Sequence, residues 1–207
     1  MPSSADRPGR GDAGRAWATL AALLGLGAGL GFAVPAGTID WQPGLAWREP
    51  WRAWSAAAVH FSTLHLAANL AGAALAGALG WVGRLPARSA LAWFVAWPFV
   101  HLGLLLRPEL VHYGGLSGVL HAGVAVAALH LVVTGRGPRR AIGVALLAVL
   151  SAKVLSEAPW GEALRHPAGW DIAIAPFAHA SGLVAGLLAS AAAEGLRRRA
   201  LSISRHG

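Results

Sequence analysis

The chain has 207 residues, of which 56% are hydrophobic and 13% charged, and its formal net charge is +8. Soluble domains contain about 25% charged residues, so this composition is typical of a polytopic membrane protein without a sizeable soluble domain. The sequence contains no cysteine, which excludes disulfides, thiolate catalysis and Cys-ligated metals. The positive charge does not indicate a nucleic-acid partner, because the arginines lie in short clusters between apolar runs.

In chain order, the sequence predicts six apolar segments, each close to the roughly 20 residues with which a helix crosses a bilayer. We therefore expect an all-α membrane protein, with a six-span domain over residues 16–195. A polar arm (1–15) precedes this domain and a basic tail (196–207) follows it. The arm and first segment also resemble a cleavable signal peptide, whose removal would leave five spans. The segments are 16–34, 53–79, 88–106, 115–134, 140–157 and 171–195.

The arginines are distributed unequally among the connections between these segments. Most lie in the arm, in the second-to-third and fourth-to-fifth connections, and in the tail. The alternate connections hold fewer arginines, mixed with acidic residues. Because basic connections remain on the cytoplasmic side, the pattern predicts cytoplasmic termini in a bacterial inner membrane. The starts of the fourth and sixth segments would then face the outer, periplasmic side.

A serine flanked by glycines begins the fourth segment, in HYGGLSGVLHAG. At a helix start, free backbone N–H groups could stabilise an oxyanion beside Ser117, and Gly115 and Gly118 permit close backbone approach. His179, in APFAHASGLVAGLL, could activate this serine if Gly182 lets the fourth and sixth helices pack closely. The alternative is purely structural: an N-cap serine among small packing residues and a buried histidine bonded to a carbonyl.

The second segment contains a further polar group, in HFSTLHLAAN. His65 and Asn69 are four residues apart and share one helix face, where they could complete an oxyanion hole. His60 lies five residues before His65, but two histidines without a nearby carboxylate are a poor zinc pattern. No metal or other cofactor is therefore predicted. Trp51 and Arg52, just before this segment, are typical of an interfacial anchor.

The combination WRAWSAAAVHFSTLHLAAN, YGGLSGVLHAG and AHASGLVAGLL resembles the rhomboid family of intramembrane serine proteases. The resemblance covers all six segments. It implies a catalytic dyad of Ser117 as nucleophile and His179 as general base, with no third acidic member. It also implies an oxyanion hole formed by His65, Asn69 and the backbone N–H of Ser117.

The same resemblance implies supporting roles for other residues. His60 matches the upstream histidine of its helix, Trp51 and Arg52 match the pair that closes the first outer loop, and Gly182 matches the contact between the fourth and sixth helices. One position departs from the pattern, because His121 stands where many rhomboids have a tyrosine that stacks on the catalytic histidine.

The short chain and GLSGVLHAG look most like the rhombosortase branch of the family. That branch is associated with substrates that end in a Gly-Gly motif, one apolar span and a basic end. We therefore expect a serine endopeptidase whose partners are the lipid bilayer and single-span membrane proteins. The sequence leaves open whether water or an amine resolves the acyl-enzyme.

Two other classes of protein are weaker alternatives. A non-catalytic binding protein of the same fold would hold single-span clients without cutting them, and it would typically lack Ser117 or His179. A small transporter or channel would favour inverted repeats, and the sequence shows no repeat.

Overall fold

The computed structural model describes residues 13–204, and this part of the chain is all-helical without a β-strand. Residues 1–12 of the predicted arm and 205–207 of the predicted tail lie outside the described range. Short helical turns at Ala36–Ile39, Pro43–Leu45, Arg52–Ser55 and Ala56–Ala58 occupy the first long connection. The long helices are α1 (Arg15–Gly31), α2 (Thr63–Val82), α3 (Ala87–Leu102), α4 (Ser117–Thr134), α5 (Pro138–Ser156) and α6 (Pro176–Ile203).

The expectation of an all-α membrane protein is confirmed at this level. Four helical stretches are long and apolar enough to cross a bilayer: α2, α3 with its continuation to Leu106, α4, and α6. Helix α1 is shorter, with 17 residues, and α5 contains three basic residues. Large apolar side chains point outward from the bundle, among them Leu75 and Val149, which are 73% and 70% exposed. Such an apolar exterior fits lipid as the surrounding solvent.

Three helix boundaries lie five or more residues from those that the sequence predicts, and one of them is the start of α6, at Pro176 rather than at residue 171. The second segment was expected to be helical from residue 53, but α2 begins only at Thr63, after short turns and an extended stretch. The start is set by Ser62, whose Oγ accepts a hydrogen bond from the His65 backbone N–H at 3.0 Å. At the other end of the chain, α6 continues to Ile203, so most of the predicted tail is helical.

Helix α4 is the centre of the bundle and packs against α2, α3, α5 and α6. Its most extensive contact is with α6, where the backbones touch. A Cβ on Gly182 would overlap the backbone of Gly118, and a Cβ on Gly186 would overlap that of Ala122. A Cβ on Gly118 would in turn lie 2.9 Å from the Ala178 carbonyl oxygen. Only residues without a side chain allow this approach.

Two buried tryptophans fasten the neighbouring helices. The Trp17 indole donates to the Ala76 carbonyl and the Trp93 indole donates to the Val119 carbonyl, each at 2.7 Å. The two indole rings also contact each other, with centroids 4.6 Å apart. Each buried N–H therefore has a partner, and the bonds join α1 to α2 and α3 to α4.

The first long connection is hydrogen-bonded to the segment that leads into α4. Trp41 and Tyr113 exchange two backbone hydrogen bonds, of 2.7 and 2.9 Å. The Gly115 N–H donates to the Ala56 carbonyl at 3.0 Å. Because these bonds hold the backbone immediately before Ser117, they fix where α4 begins.

At the opposite end of α4 and α6, a buried carboxylate ties three helices together. Glu194 accepts hydrogen bonds from His130 at 2.8 Å, from Arg88 at 3.2 Å and from Arg197 at 2.9 Å. These partners come from α4, α3 and α6. Glycines thus allow α4 and α6 to contact each other closely at one end, and this ionic cluster connects the two helices at the other end.

We predict that Gly182→Val destabilises the bundle by about 3 kcal/mol, since the new side chain must push two backbones apart. Gly195→Val is the matched control, because a Cβ at Gly195 meets no atom within 4 Å. Thermal unfolding in detergent should show a lower midpoint for Gly182→Val alone. Equal midpoints for the two variants would contradict the close α4–α6 contact.

Candidate active site

A cavity of about 860 Å³ lies beside the start of α4, between α2, α5 and α6. The connection between α5 and α6 covers it and is held by paired backbone bonds between Arg165 and Ile174 and by a bond from Ser62 Oγ to Asp171 at 2.8 Å. One end of the cavity is polar, and the remainder is apolar. The apolar lining includes Leu75, Leu79, Leu120, Leu146 and Leu150.

Ser117 and His179 meet at the polar end. The Ser117 hydroxyl donates to His179 Nε2 over 2.9 Å. Ser117 is the first residue of α4, and His179 is in the first turn of α6, which begins at Pro176. The glycine contact between these helices is next to the pair, because Gly118 directly follows Ser117 and Gly182 lies three residues after His179, so it sets the separation of the two side chains. This is the distance at which an imidazole can take a proton from a hydroxyl.

His121 stacks on His179, with ring centroids 4.3 Å apart and an angle of 10° between the rings. Its Nδ1–H donates to the Ser117 backbone carbonyl at 2.7 Å. The position where the sequence departs from many rhomboids therefore still holds an aromatic ring against His179. The imidazole adds a hydrogen bond to the backbone of the helix that bears Ser117.

An acidic side chain contacts the far edge of the His179 ring. His179 Nδ1–H donates to Glu157 Oε2 at 2.6 Å. The family resemblance implied no acidic neighbour, and the structure differs on this point. Glu157 immediately follows α5, in one of the connections where acidic residues accompany the arginines.

Lys153 belongs to the same cluster. Its ammonium donates to Glu157 Oε1 at 3.0 Å and to His121 Nε2 at 2.7 Å. Because Lys153 and Glu157 are four residues apart at the end of a helix, they share one face. That spacing, at the end of a predicted helix, was the sequence signal that could have pointed to them.

These five side chains form a closed ring of hydrogen bonds. On one side, the Ser117 hydroxyl donates to His179, and His179 donates to Glu157. On the other side, Lys153 donates both to Glu157 and to His121. His121 closes the ring by donating to the Ser117 backbone carbonyl. Each imidazole carries its proton on Nδ1 and accepts at Nε2, so every donor has an acceptor. Lys153 Nζ also lies 3.1 Å from His179 Nδ1, so two donors converge on one carboxylate.

The candidate oxyanion donors lie on the other side of Ser117. His65 Nδ1 accepts from the Phe61 N–H at 3.4 Å, which leaves the proton on Nε2. Gly115 faces this nitrogen: its φ is +144°, and a Cβ there would lie 3.0 Å from His65 Nε2. A side chain at Gly115 would therefore be strained and would also fill the space beside His65.

Asn69 lines the same cavity, one turn further along α2. One hydrogen of its amide is donated to the His65 carbonyl at 3.0 Å, which leaves a second for the cavity. The backbone N–H of Ser117 is among the first four of α4, which lack an acceptor within their helix. His65, Asn69 and Ser117 thus line one cavity, and each has an N–H that could be donated to an oxyanion.

Six of the predicted site residues are not part of the cavity lining: Gly115, Gly118 and Gly182, described above, and His60, Trp51 and Arg52. The His60 ring packs against His65 with a centroid separation of 4.7 Å, and its Nδ1–H donates to the Ala58 carbonyl at 3.2 Å. Arg52 is buried in the first long connection, with its guanidinium 4.8 Å from the Trp51 ring centroid. These residues pack around the cavity wall rather than lining the cavity.

Arg52 organises that connection through two acidic residues. Its Nη1 donates to the Asp40 backbone oxygen at 2.8 Å and lies 3.2 Å from the Asp40 carboxylate, and its Nε donates to Glu49 at 2.6 Å. Asp40 Oδ2 accepts from His112 at 2.7 Å, and His112 lines the cavity. Arg52 is therefore linked to the cavity rim by a single intervening carboxylate.

Within residues 13–204, no group of three or more His, Asp or Glu side chains could hold a metal ion. No protein-family model, curated protein or solved structure matches this chain.

We predict that Arg52→Ala costs about 3 kcal/mol of stability, because it leaves the buried Asp40 carboxylate without its charged partner. Arg48→Ala is the matched control, since it removes the same charge from an exposed position of the same connection. Thermal unfolding in detergent compares the two. A similar loss in both variants would show that net charge, rather than the Asp40 contact, is responsible.

Proposed function

We propose that this chain is an intramembrane serine endopeptidase of the rhomboid type. The observation that carries the proposal is the 2.9 Å hydrogen bond between Ser117 Oγ and His179 Nε2, at the polar end of a cavity enclosed by apolar helices. A serine hydroxyl becomes a useful nucleophile when a base takes its proton, and an imidazole is the usual base.

In the proposed reaction, His179 Nε2 accepts the Ser117 proton as Oγ attacks the scissile carbonyl carbon. The resulting oxyanion is bonded by the Ser117 N–H and by His65 and Asn69. His179 then returns the proton to the amine as the peptide C–N bond breaks, which leaves an acyl-enzyme. Attack by water, with His179 again taking a proton, releases the acid and restores Ser117. An amine in place of water would give transpeptidation.

The shape of the cavity supports a peptide that comes from an apolar span. Its apolar lining accommodates hydrophobic side chains, whereas the scissile bond must reach the polar end near Ser117. A helical span has to unwind there, because a helical peptide bond is shielded by its own hydrogen bonds. We take the substrate to be a single-span protein with a Gly-Gly motif, an apolar span and a basic C-terminal end.

The proposed topology has six spans, both termini in the cytoplasm of a bacterium, and the cavity open to the outer face of the inner membrane. The basic clusters support it, because they lie at the end of the bundle opposite Ser117. Arg88 bonds to Glu194 near the end of α6, and Arg139, at the start of α5, donates to the Gly83 carbonyl at 2.8 Å. Clusters of arginine stay on the cytoplasmic side.

We predict that purified wild-type protein in liposomes cleaves a reporter that ends in such a tripartite tail. Ser117→Ala should lower the rate by about 10⁶, that is, below detection. Ser204→Ala, an exposed serine at the end of α6, is the matched control and should cut normally. Mass spectrometry of the new terminus shows whether the cut lies near the Gly-Gly motif.

Each result of this experiment has a distinct meaning. Cleavage by Ser117→Ala would contradict the assignment of the nucleophile. If the wild type cuts only a generic rhomboid substrate, the protease remains and the tail preference is wrong. A folded wild type that binds both substrates and cuts neither would favour the non-catalytic client-binding protein.

A further inference from the structure

Both ring nitrogens of His179 are hydrogen-bonded, and the proposed reaction uses only Nε2. Nε2 faces Ser117, whereas Nδ1–H donates to Glu157 Oε2 at 2.6 Å. His179 itself is only 7% exposed, so water does not compete freely for its Nδ1–H. The carboxylate of Glu157 is half-buried at the cavity edge. An acceptor at this position decides which ring nitrogen carries the proton.

We propose that Glu157 is a positioning residue for His179, and that Lys153 positions Glu157 in turn. This inference rests on the proposed function and adds a third and a fourth member to a site for which only a serine and a histidine were expected. Glu157 keeps the proton of neutral His179 on Nδ1, so that Nε2 presents its lone pair to Ser117. After Nε2 takes the serine proton, the adjacent carboxylate stabilises the imidazolium. The proton itself stays on His179 until the leaving amine accepts it.

The two carboxylate oxygens of Glu157 have different partners, which is the evidence for a role for Lys153. Oε2 accepts from His179, and Oε1 accepts from the Lys153 ammonium at 3.0 Å. The carboxylate therefore cannot rotate away from His179 without losing its ion pair. Both residues are on one rigid element, because Lys153 is in the last turn of α5 and Glu157 directly follows it.

Lys153 also contacts the residue that covers the face of the His179 ring. It donates to His121 Nε2 at 2.7 Å, and His121 stacks on His179. The Glu157 backbone carbonyl is itself held by Arg165 at 2.8 Å. Glu157 thus fixes how the His179 ring is oriented within the plane of the ring, and the stacked His121 ring limits its movement perpendicular to that plane. Lys153 bonds to both Glu157 and His121.

The charges around His179 predict opposite effects for the two neighbours. The titratable groups that face it are His65 from α2, His121 from α4, Lys153 from α5 and Glu157 after α5, while His166 of the covering connection lines the same cavity. Removing the anion destabilises protonated His179, whereas removing the ammonium stabilises it. A purely structural ion pair between Lys153 and Glu157 would make no such distinction.

The deciding experiment measures kcat and kcat/KM against pH for Glu157→Gln, Glu157→Asp and Lys153→Met. In Glu157→Gln, kcat should fall about 10²- to 10⁴-fold with little change in KM, and the acid limb of kcat/KM should move to lower pH. In Lys153→Met the acid limb should move to higher pH. Glu157→Asp should recover part of the lost kcat. Glu162→Gln removes an exposed acid of the same connection and is the control.

A second readout does not depend on cleavage. The ¹⁵N resonances of His179, in protein labelled at histidine, should report the Nδ1-protonated tautomer in wild type and a mixture of tautomers in Glu157→Gln. If wild type does not cleave, the proposed function fails, and the spectra still decide whether Glu157 orients His179. An unchanged tautomer in Glu157→Gln, or a loss of kcat that only parallels a loss of thermal stability, would overturn this inference.

Discussion

The direct contact between the backbones of α4 and α6 is the constraint on which the site depends. Gly118 and Gly182 bring the two helices so close that a single methyl group would overlap the opposite backbone. Ser117 and His179 lie at the adjoining ends of these helices, so their 2.9 Å separation follows from a rigid contact rather than from flexible loops. Packing and chemistry are therefore determined by the same few residues, and neither can change independently.

A group of polar side chains can persist inside an apolar bundle because it is internally satisfied. Burying an unpaired donor, acceptor or charge is costly, and the cost grows as the surroundings become less polar. In the ring that joins Ser117, His179, Glu157, Lys153 and His121, each proton donor faces an acceptor, and the one cation faces the one anion. The cluster around Glu194 follows the same rule at the other end of the bundle. One polar network thus lies at each end of the helix bundle, and the part of the bundle between them is apolar.

Much of this arrangement could be predicted from the sequence, because its signals are local. Long apolar runs predicted helices, and Gly182 on the sixth segment indicated that close packing against the fourth segment could bring His179 to Ser117. The start of α2 was missed because an apolar composition does not distinguish a helix from the short turns before Thr63, whose position depends on the Ser62 cap. Glu157 was missed for a different reason. The four-residue spacing from Lys153 indicates only that the two side chains share a helix face. The contact of Glu157 with His179 depends on how α5 is placed against α6, which that spacing does not determine.

The order of the site along the chain bears on how the protein is made. Ser117 is synthesised first, Glu157 follows, and His179 comes last, on α6. A nascent chain that has inserted only its first five helices already carries the hydroxyl but has no base beside it. The contact between Ser117 and His179 can therefore form only when the final helix docks against α4. For the protease proposed above, a nascent chain would then have a nucleophile without its base until its last helix is in place.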